Sequence, residues 1–120
     1  MGNVLFLGYK NCSTAKKAQK WLDEHAISYD SRDIVEGNPQ VPELKEWHQR
    51  SGLPLRRFFN TSGILYREQK VKAQLDAGMS EADMYKLLAT DGKMVKRPLV
   101  IGDDFVLIGF REKEWEEKLL

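Results

Sequence analysis

NVLFLGYKNCSTAKKAQKWL, residues 3–22, changes its periodicity at the middle. NVLFLGY (3–9) is a short, continuous apolar run carrying Gly8 near its end, the pattern of a buried strand rather than an alternating edge strand. From Ser13 to about His25 the apolar residues recur at helical spacing. Ala15, Ala18, Trp21, Leu22 and Ala26 share one face, and Lys16, Lys17, Lys20, Asp23 and Glu24 cover the other. Between the two segments lies Cys12, the only cysteine of the chain. ISYDSRDIV (27–35) is β-branched and aromatic, with Ile27, Tyr29 and Ile34 expected inward, and reads as a second strand. Strand, helix, strand in that order predicts a right-handed parallel crossover.

Downstream the composition shifts. EGNPQVP (36–42) is a turn cluster, and Pro42 suits the first turn of a helix running to about Ser51, with Leu44, Trp47 and His48 inward. Gly52 ends that helix and Pro54 reinforces the stop. Further helical pieces are predicted around 55–59, 64–76 and 80–90, with Ser80 placed to cap the last through its hydroxyl. RPLVIG (97–102) and FVLIGF (105–110) are β-type runs, and a two-residue turn at Asp103-Asp104 would join them as a hairpin. REKEWEEKLL (111–120) closes the chain as a helix with Trp115 and Leu119 on one face. The order βαβ, helical block, ββα predicts an α/β fold. It is a four-stranded mixed sheet with helices on both faces, the thioredoxin-like layout, in one domain over 1–120 with a helical insertion at about 41–91.

The totals narrow the function classes. Hydrophobic residues are 42% and charged residues 31%, the profile of a soluble globular protein. Lys plus Arg number 19 against 18 Asp plus Glu, a net charge of +1, which lacks the basic excess of nucleic-acid binders, so no direct nucleic-acid partner is expected. No apolar run approaches the roughly 18 residues that span a bilayer, so no membrane partner is expected. MGNVLFLGYK has no basic segment before its apolar run, and Phe6 breaks a myristoylation motif. A lone cysteine makes no internal disulfide, which fits a reducing cytoplasm.

Chemistry concentrates at Cys12. The free amides and dipole of a helix N-terminus stabilise an anion, so a thiol there is favoured as the nucleophilic thiolate. Lys10, Lys16, Lys17 and Lys20 lie nearby with no acid among residues 10–20. Asn11, Ser13 and Thr14 supply amides and hydroxyls able to cradle an oxyanion beside the sulfur. The competing reading is a small buried hydrophobe, the usual role of a free cysteine. The second feature is Lys96-Arg97-Pro98 at the start of the third strand, beside the Cys12 loop in such a sheet. A cis Pro98 would aim Arg97 at Cys12, where its planar fork would grip an oxyanion or steady a thiolate. A surface arginine before an edge proline remains the alternative.

Other candidates carry less. His25 suits a helix C-terminus as a cation, His48 reads as a helix residue, and neither has metal-ligand spacing, so no metal site is predicted. EKEWEEK is read as a solvated helix face. LRRFF (55–59) reads as a short helix with its phenylalanines inward, or as a nucleic-acid or protein contact.

YKNCSTAKKAQKWL, LPLRRFFNTSG, KRPLVIGD and VLIGFREKEW together resemble the ArsC/Spx family, over nearly the whole chain and in matching order. That family contains glutathione-dependent, glutaredoxin-coupled arsenate reductases and Spx-type regulators that bind RNA polymerase, on a thioredoxin-like fold with a helical insertion. The resemblance implies that Cys12 is the nucleophile and that Arg97, followed by Pro98, is an oxyanion-site arginine. Two further arginines of the reductases fall on Asn60 and Phe110, with Arg111 next to the second. Losing two charge-assisted bonds of about 1.5–3 kcal/mol each would weaken oxyanion binding roughly a hundredfold or more. Spx-type switches pair two cysteines in a Cys-x-x-Cys loop, and position 15 here is Ala, which excludes that internal switch. Gly52 falls in a region that Spx-type proteins use to contact polymerase and that the reductases also keep.

The resemblance and the residues together lead to an arsenate-reductase-like thiol oxidoreductase with one redox cysteine. Its catalytic groups would be Cys12 and Arg97. Lys10, Asn11, Ser13, Thr14 and Pro98 would bind a small oxyanion or disulfide. Arsenate turnover itself is expected to be poor. No cofactor is bound, and glutathione or a glutaredoxin would resolve the intermediate as co-substrate. The alternative is a Spx-like transcriptional regulator that binds the RNA polymerase α-subunit.

Overall fold

The computed structural model describes residues 3–120. In chain order the elements are β1 (Val4–Gly8), α1 (Ser13–Glu24), β2 (Tyr29–Asp33), α2 (Val41–Ser51), a 3-10 turn (Leu55–Phe58), α3 (Ile64–Glu68), α4 (Val71–Asp76), α5 (Glu81–Leu88), a second 3-10 turn (Gly92–Met94), β3 (Leu99–Ile101), β4 (Val106–Ile108) and α6 (Glu112–Leu119). The sheet order is β2-β1-β3-β4. β1 runs parallel to β2 and antiparallel to β3, which pairs antiparallel with β4. This is a thioredoxin-like mixed sheet, with a helical block between β2 and β3.

The pleat sorts the strand residues into two cores, because successive side chains point to opposite faces. Phe6, Val100 and Leu107 stand in one cross-strand row and meet Ala15, Ala18, Trp21 and Leu22 of α1 and Trp115 of α6. Leu7, Leu99 and Ile108 form the neighbouring row on the opposite face. They pack under the helical block with Leu44, Trp47, Phe58, Leu88 and Met94. The helical periodicity of residues 15–22 therefore buries α1 on one side of the sheet, and the block covers the other.

Several sequence expectations meet the structure closely. Pro42 lies in the first turn of α2 and Gly52 ends it in the left-handed region at φ 65°, while the Glu43 carboxylate, not singled out in the sequence, caps its start by accepting the Gln40 amide at 3.3 Å. The Ser80 hydroxyl accepts from the Asp83 amide. Other expectations need correction. The predicted helix over 64–76 is two helices, parted by Lys70 in the left-handed region at φ 52°. The helical piece expected around 55–59 is a 3-10 turn over Leu55–Phe58, with Phe59 extended beyond it. β2 is shorter and more polar than 27–35, because Ile27 precedes it and the buried Ile34 follows it, tied by its amide to the Gly8 carbonyl at 2.8 Å.

The hairpin turn spans more than Asp103-Asp104, since β3 stops at Ile101 and β4 starts at Val106. The Gly102 amide donates to the Phe105 carbonyl at 2.9 Å, while the Gly102 carbonyl accepts from Arg50 of α2 at 2.7 Å. At the far end of the block, Gly92 sits so close to β2's continuation that a Cβ there would lie 1.9 Å from the Ile34 carbonyl oxygen.

Candidate active site

β1 ends against α1, and Cys12 is the N-cap residue of that helix. Its amide donates to the Tyr9 carbonyl at 2.9 Å and its carbonyl accepts from the Lys16 amide at 3.1 Å, so the loop is a closed turn. The thiol is half-buried, and the first turn of α1 carries no acidic residue. The sulfur thus stands at the positive end of a 12-residue helix, where an anion is stabilised.

Cys12 opens into a cleft of about 1020 Å³ between the sheet edge, the helical block and the start of α6. Its lining contains Arg56, Arg57, Lys93, Lys96, Arg97 and Arg111 and, among the described residues, no carboxylate. Arg56 is paired with Asp76 at 2.7 Å, which raises the guanidinium's pKa and holds the Asp76 carboxyl below its usual range. The other lining cations form no salt bridge among the described residues. The apolar part of the lining includes the buried Phe59 and Ile108 with Leu65 and Phe110, and Ile64 stands 63% exposed.

Arg97 lies across the Tyr9 ring, with its guanidinium carbon 5.1 Å from the ring centroid. The peptide bond between Arg97 and Pro98 is cis. Arg97 Nε is buried without a hydrogen-bond partner, while its Nη1 reaches the Lys93 carbonyl at 3.5 Å. The same carbonyl accepts from the Asn60 side chain at 3.3 Å, and Asn60 Oδ1 accepts from the Ser62 hydroxyl at 3.4 Å. Asn60, 7% exposed, is thus satisfied by its neighbours. Phe110 turns its ring to Trp115 and Trp21, with centroids at 4.8 and 6.4 Å.

Of the residues singled out in the sequence, Cys12, Thr14 and Arg97 line the cleft together. Lys10, Asn11 and Ser13 are exposed around the loop and are not in its lining. The Asn11 side chain is drawn to the Tyr9 hydroxyl at 3.2 Å. Pro98 is buried, and its carbonyl accepts the Gly109 amide at 2.8 Å. Arg57, Lys93 and Tyr9 were not expected at the site. Arg57 is in the LRRFF run, which reads as a short helix or a contact surface, and nothing in the sequence places it near Cys12. His48 lies away from the cleft, with Nδ1 at 2.6 Å from the Tyr85 hydroxyl.

The model of the ArsC family matches residues 7–118. The fold superposes with a TM-score of 0.93 on the crystal structure of an ArsC family related protein from Bacteroides fragilis, 52% identical, covering 97% of each chain. A "possible arsenate reductase" from Streptococcus mutans is 35% identical with a TM-score of 0.85, covering 97% of this chain and 99% of that one. The global transcriptional regulator Spx of Staphylococcus epidermidis is 25% identical over 104 residues, covering 87% of this chain and 77% of that one. By sequence and by fold, the chain belongs to the ArsC family.

Proposed function

We propose that the chain is a thiol oxidoreductase of anionic substrates, with Cys12 as its nucleophile. The observation that carries this reading is that Cys12 and Arg97 line one cleft with five other cations and no carboxylate. The Cys12 thiolate attacks one sulfur of a disulfide. The S–S bond breaks, its electron pair leaves on the departing thiolate, and Cys12 is left in a mixed disulfide. With no second cysteine in the chain, an external thiol must release it. Glutathione or a glutaredoxin supplies that thiol: its thiolate attacks the mixed disulfide and returns the electron pair to Cys12. Arg97 and the first-turn amides of α1 stabilise the negative charge on the departing group. These are the conditions of a reducing cytoplasm.

Arsenate itself is a poor fit to the site. Asn60 is a neutral amide spent on the Lys93 carbonyl, and Phe110 is packed on tryptophans, so two of the reductases' guanidinium positions offer no charge. Turnover with glutathione and glutaredoxin tests the reading, with a small anionic disulfide and arsenate as parallel substrates. Wild type should reduce the disulfide, Cys12→Ser should not, and arsenate should bind at least about a hundredfold more weakly than it would to a site with all three guanidiniums, following two lost charge-assisted bonds. Equal activity of wild type and Cys12→Ser would refute the reading.

A second reading is a transcriptional regulator that binds the RNA polymerase α-subunit. It is favoured by the similarity to Spx; Gly52, which the reductases also keep, is an exposed turn residue with open space around it and marks where such a contact can be tested. A pull-down with the isolated C-terminal domain of that subunit decides it. Binding retained by Cys12→Ser and lost on Gly52→Arg supports the regulator, and no binding at micromolar concentration removes it.

A further inference from the structure

We propose that the substrate of this cleft is an acidic peptide segment of a partner protein, presented with its cysteine in a disulfide. This rests on the reading of Cys12 as a thiol nucleophile and names the substrate class for it. A volume of about 1020 Å³ exceeds what a tetrahedral oxyanion fills, stands at the upper end of the range for small-ligand pockets and leaves room for a few residues of a peptide. Lys93, Lys96 and Arg97 come from the approach to β3, Arg57 from the 3-10 turn and Arg111 from the start of α6. The positive charge is therefore spread along the walls instead of focused on one oxyanion position. Ile64, 63% exposed, adds an apolar contact for a side chain of the segment.

A single strand of nucleic acid is the other extended polyanion, and the surface suits it less. Arg97 lies over one face of the Tyr9 ring, the Phe59 side chain is buried and the Phe110 ring is packed on Trp115 and Trp21, so the cleft lacks a row of open rings for base stacking. The net charge of +1 supplies no long-range basic field.

The test uses a short glutamate-rich peptide with one cysteine, carried as its mixed disulfide with thionitrobenzoate, and a twin with glutamine at every glutamate. The Cys12 thiolate attacks the peptide sulfur, the S–S bond breaks, and thionitrobenzoate leaves with the electron pair, giving colour and a Cys12–peptide adduct visible by intact mass. Affinity is measured separately by anisotropy, with serine-for-cysteine peptides and Cys12→Ser protein. The acidic peptide should react and bind at least about tenfold better than its twin, as expected for complementary charge. That margin should collapse in high salt and in Lys96→Gln/Arg111→Gln.

Equal affinity of the two peptides for Cys12→Ser overturns the proposal and leaves the thiol chemistry standing. So does a glutathione–thionitrobenzoate disulfide that reacts as fast as the acidic peptide, which would assign the cleft to a free small thiol. An oligonucleotide that displaces the acidic peptide at lower concentration than the peptide itself overturns it in favour of nucleic acid. Selective binding without any adduct on wild type upholds the peptide class and removes the chemistry of Cys12 instead.

Discussion

The guanidinium of Arg97 rests 5.1 Å from the ring centroid of Tyr9, and the Tyr9 carbonyl accepts the amide of Cys12. One residue therefore touches both the nucleophile's loop and the cation beside it. Tyr9→Leu should slow reaction of Cys12 with the anionic disulfide dithiobis-nitrobenzoate about three- to fivefold, the cost of a partly exposed cation–π contact. Reaction with neutral iodoacetamide should stay within about twofold, because charge recognition plays no part in it. Tyr9→Phe keeps the ring and loses only the exposed Asn11 contact to the hydroxyl, so it should slow the anionic reagent less than Tyr9→Leu does. Equal slowing of both reagents would mean that Tyr9 only shapes the loop.

Gly92→Ala should destabilise the fold by about 1–3 kcal/mol or more, because the new methyl group meets backbone that cannot turn aside. The clash is with the Ile34 carbonyl, at 1.9 Å from the ideal Cβ position. The urea midpoint measures it. A midpoint unchanged from wild type would show that the second 3-10 turn can shift away from β2's continuation.

Arg32 and Glu43 make a two-pronged ion pair at 2.7 and 2.9 Å. The hydrogen bonds from Arg32 hold the Glu43 carboxyl below the usual carboxylate range against the opposing effect of burial, and raise Arg32 correspondingly. The folded value lies below the unfolded one. The pair's contribution is therefore fully present above the unfolded carboxyl value of about 4.3 and is lost as pH falls through the lowered folded value. Both side chains keep some solvent contact, so the contribution at neutral pH is at most about 1 kcal/mol. Glu43→Gln can keep the helix cap while removing the charge. It should cost that amount at pH 7 and nothing at acid pH, by denaturation at both.

Trp115 is fully buried, and its indole N–H donates to the Gly109 carbonyl at 3.1 Å. Trp115→Phe leaves that carbonyl unpaired and a gap between Trp21 and Phe110, for a loss of about 2–4 kcal/mol. Gly109 also bonds the Pro98 carbonyl, so the same variant should loosen the β4 end of the cleft. Faster amide exchange at Gly109 than at Leu22 is the expected sign.

The local pattern of residues 3–22 was enough to place a strand, a turn and a helix, because burial on a sheet and on a helix leaves different periods. The two-faced sheet followed from the order of such runs. Lys70 shows where this stops: Glu68-Gln69-Lys70 contains neither Gly nor Pro, and a left-handed lysine parts α3 from α4 without a composition signal. At the site, Cys12 was legible because one short segment supplies both the sulfur and the helix end. The convergence of Arg57, Lys93 and Arg111 was not, since charges distant in sequence meet only through the folding of the helical block against the sheet.

The bond from Arg50 to the Gly102 carbonyl bears on how this protein can be cut down. The β3–β4 turn leaves that oxygen to α2, so the block finishes the sheet's own connection. Excising residues 41–91 to obtain a minimal four-stranded unit would strip the acceptor of its donor. It would also bare the apolar row of Leu7, Leu99 and Ile108. Such a miniature would precipitate rather than fold, which makes the helical block a structural half of the protein and not an accessory grafted onto it.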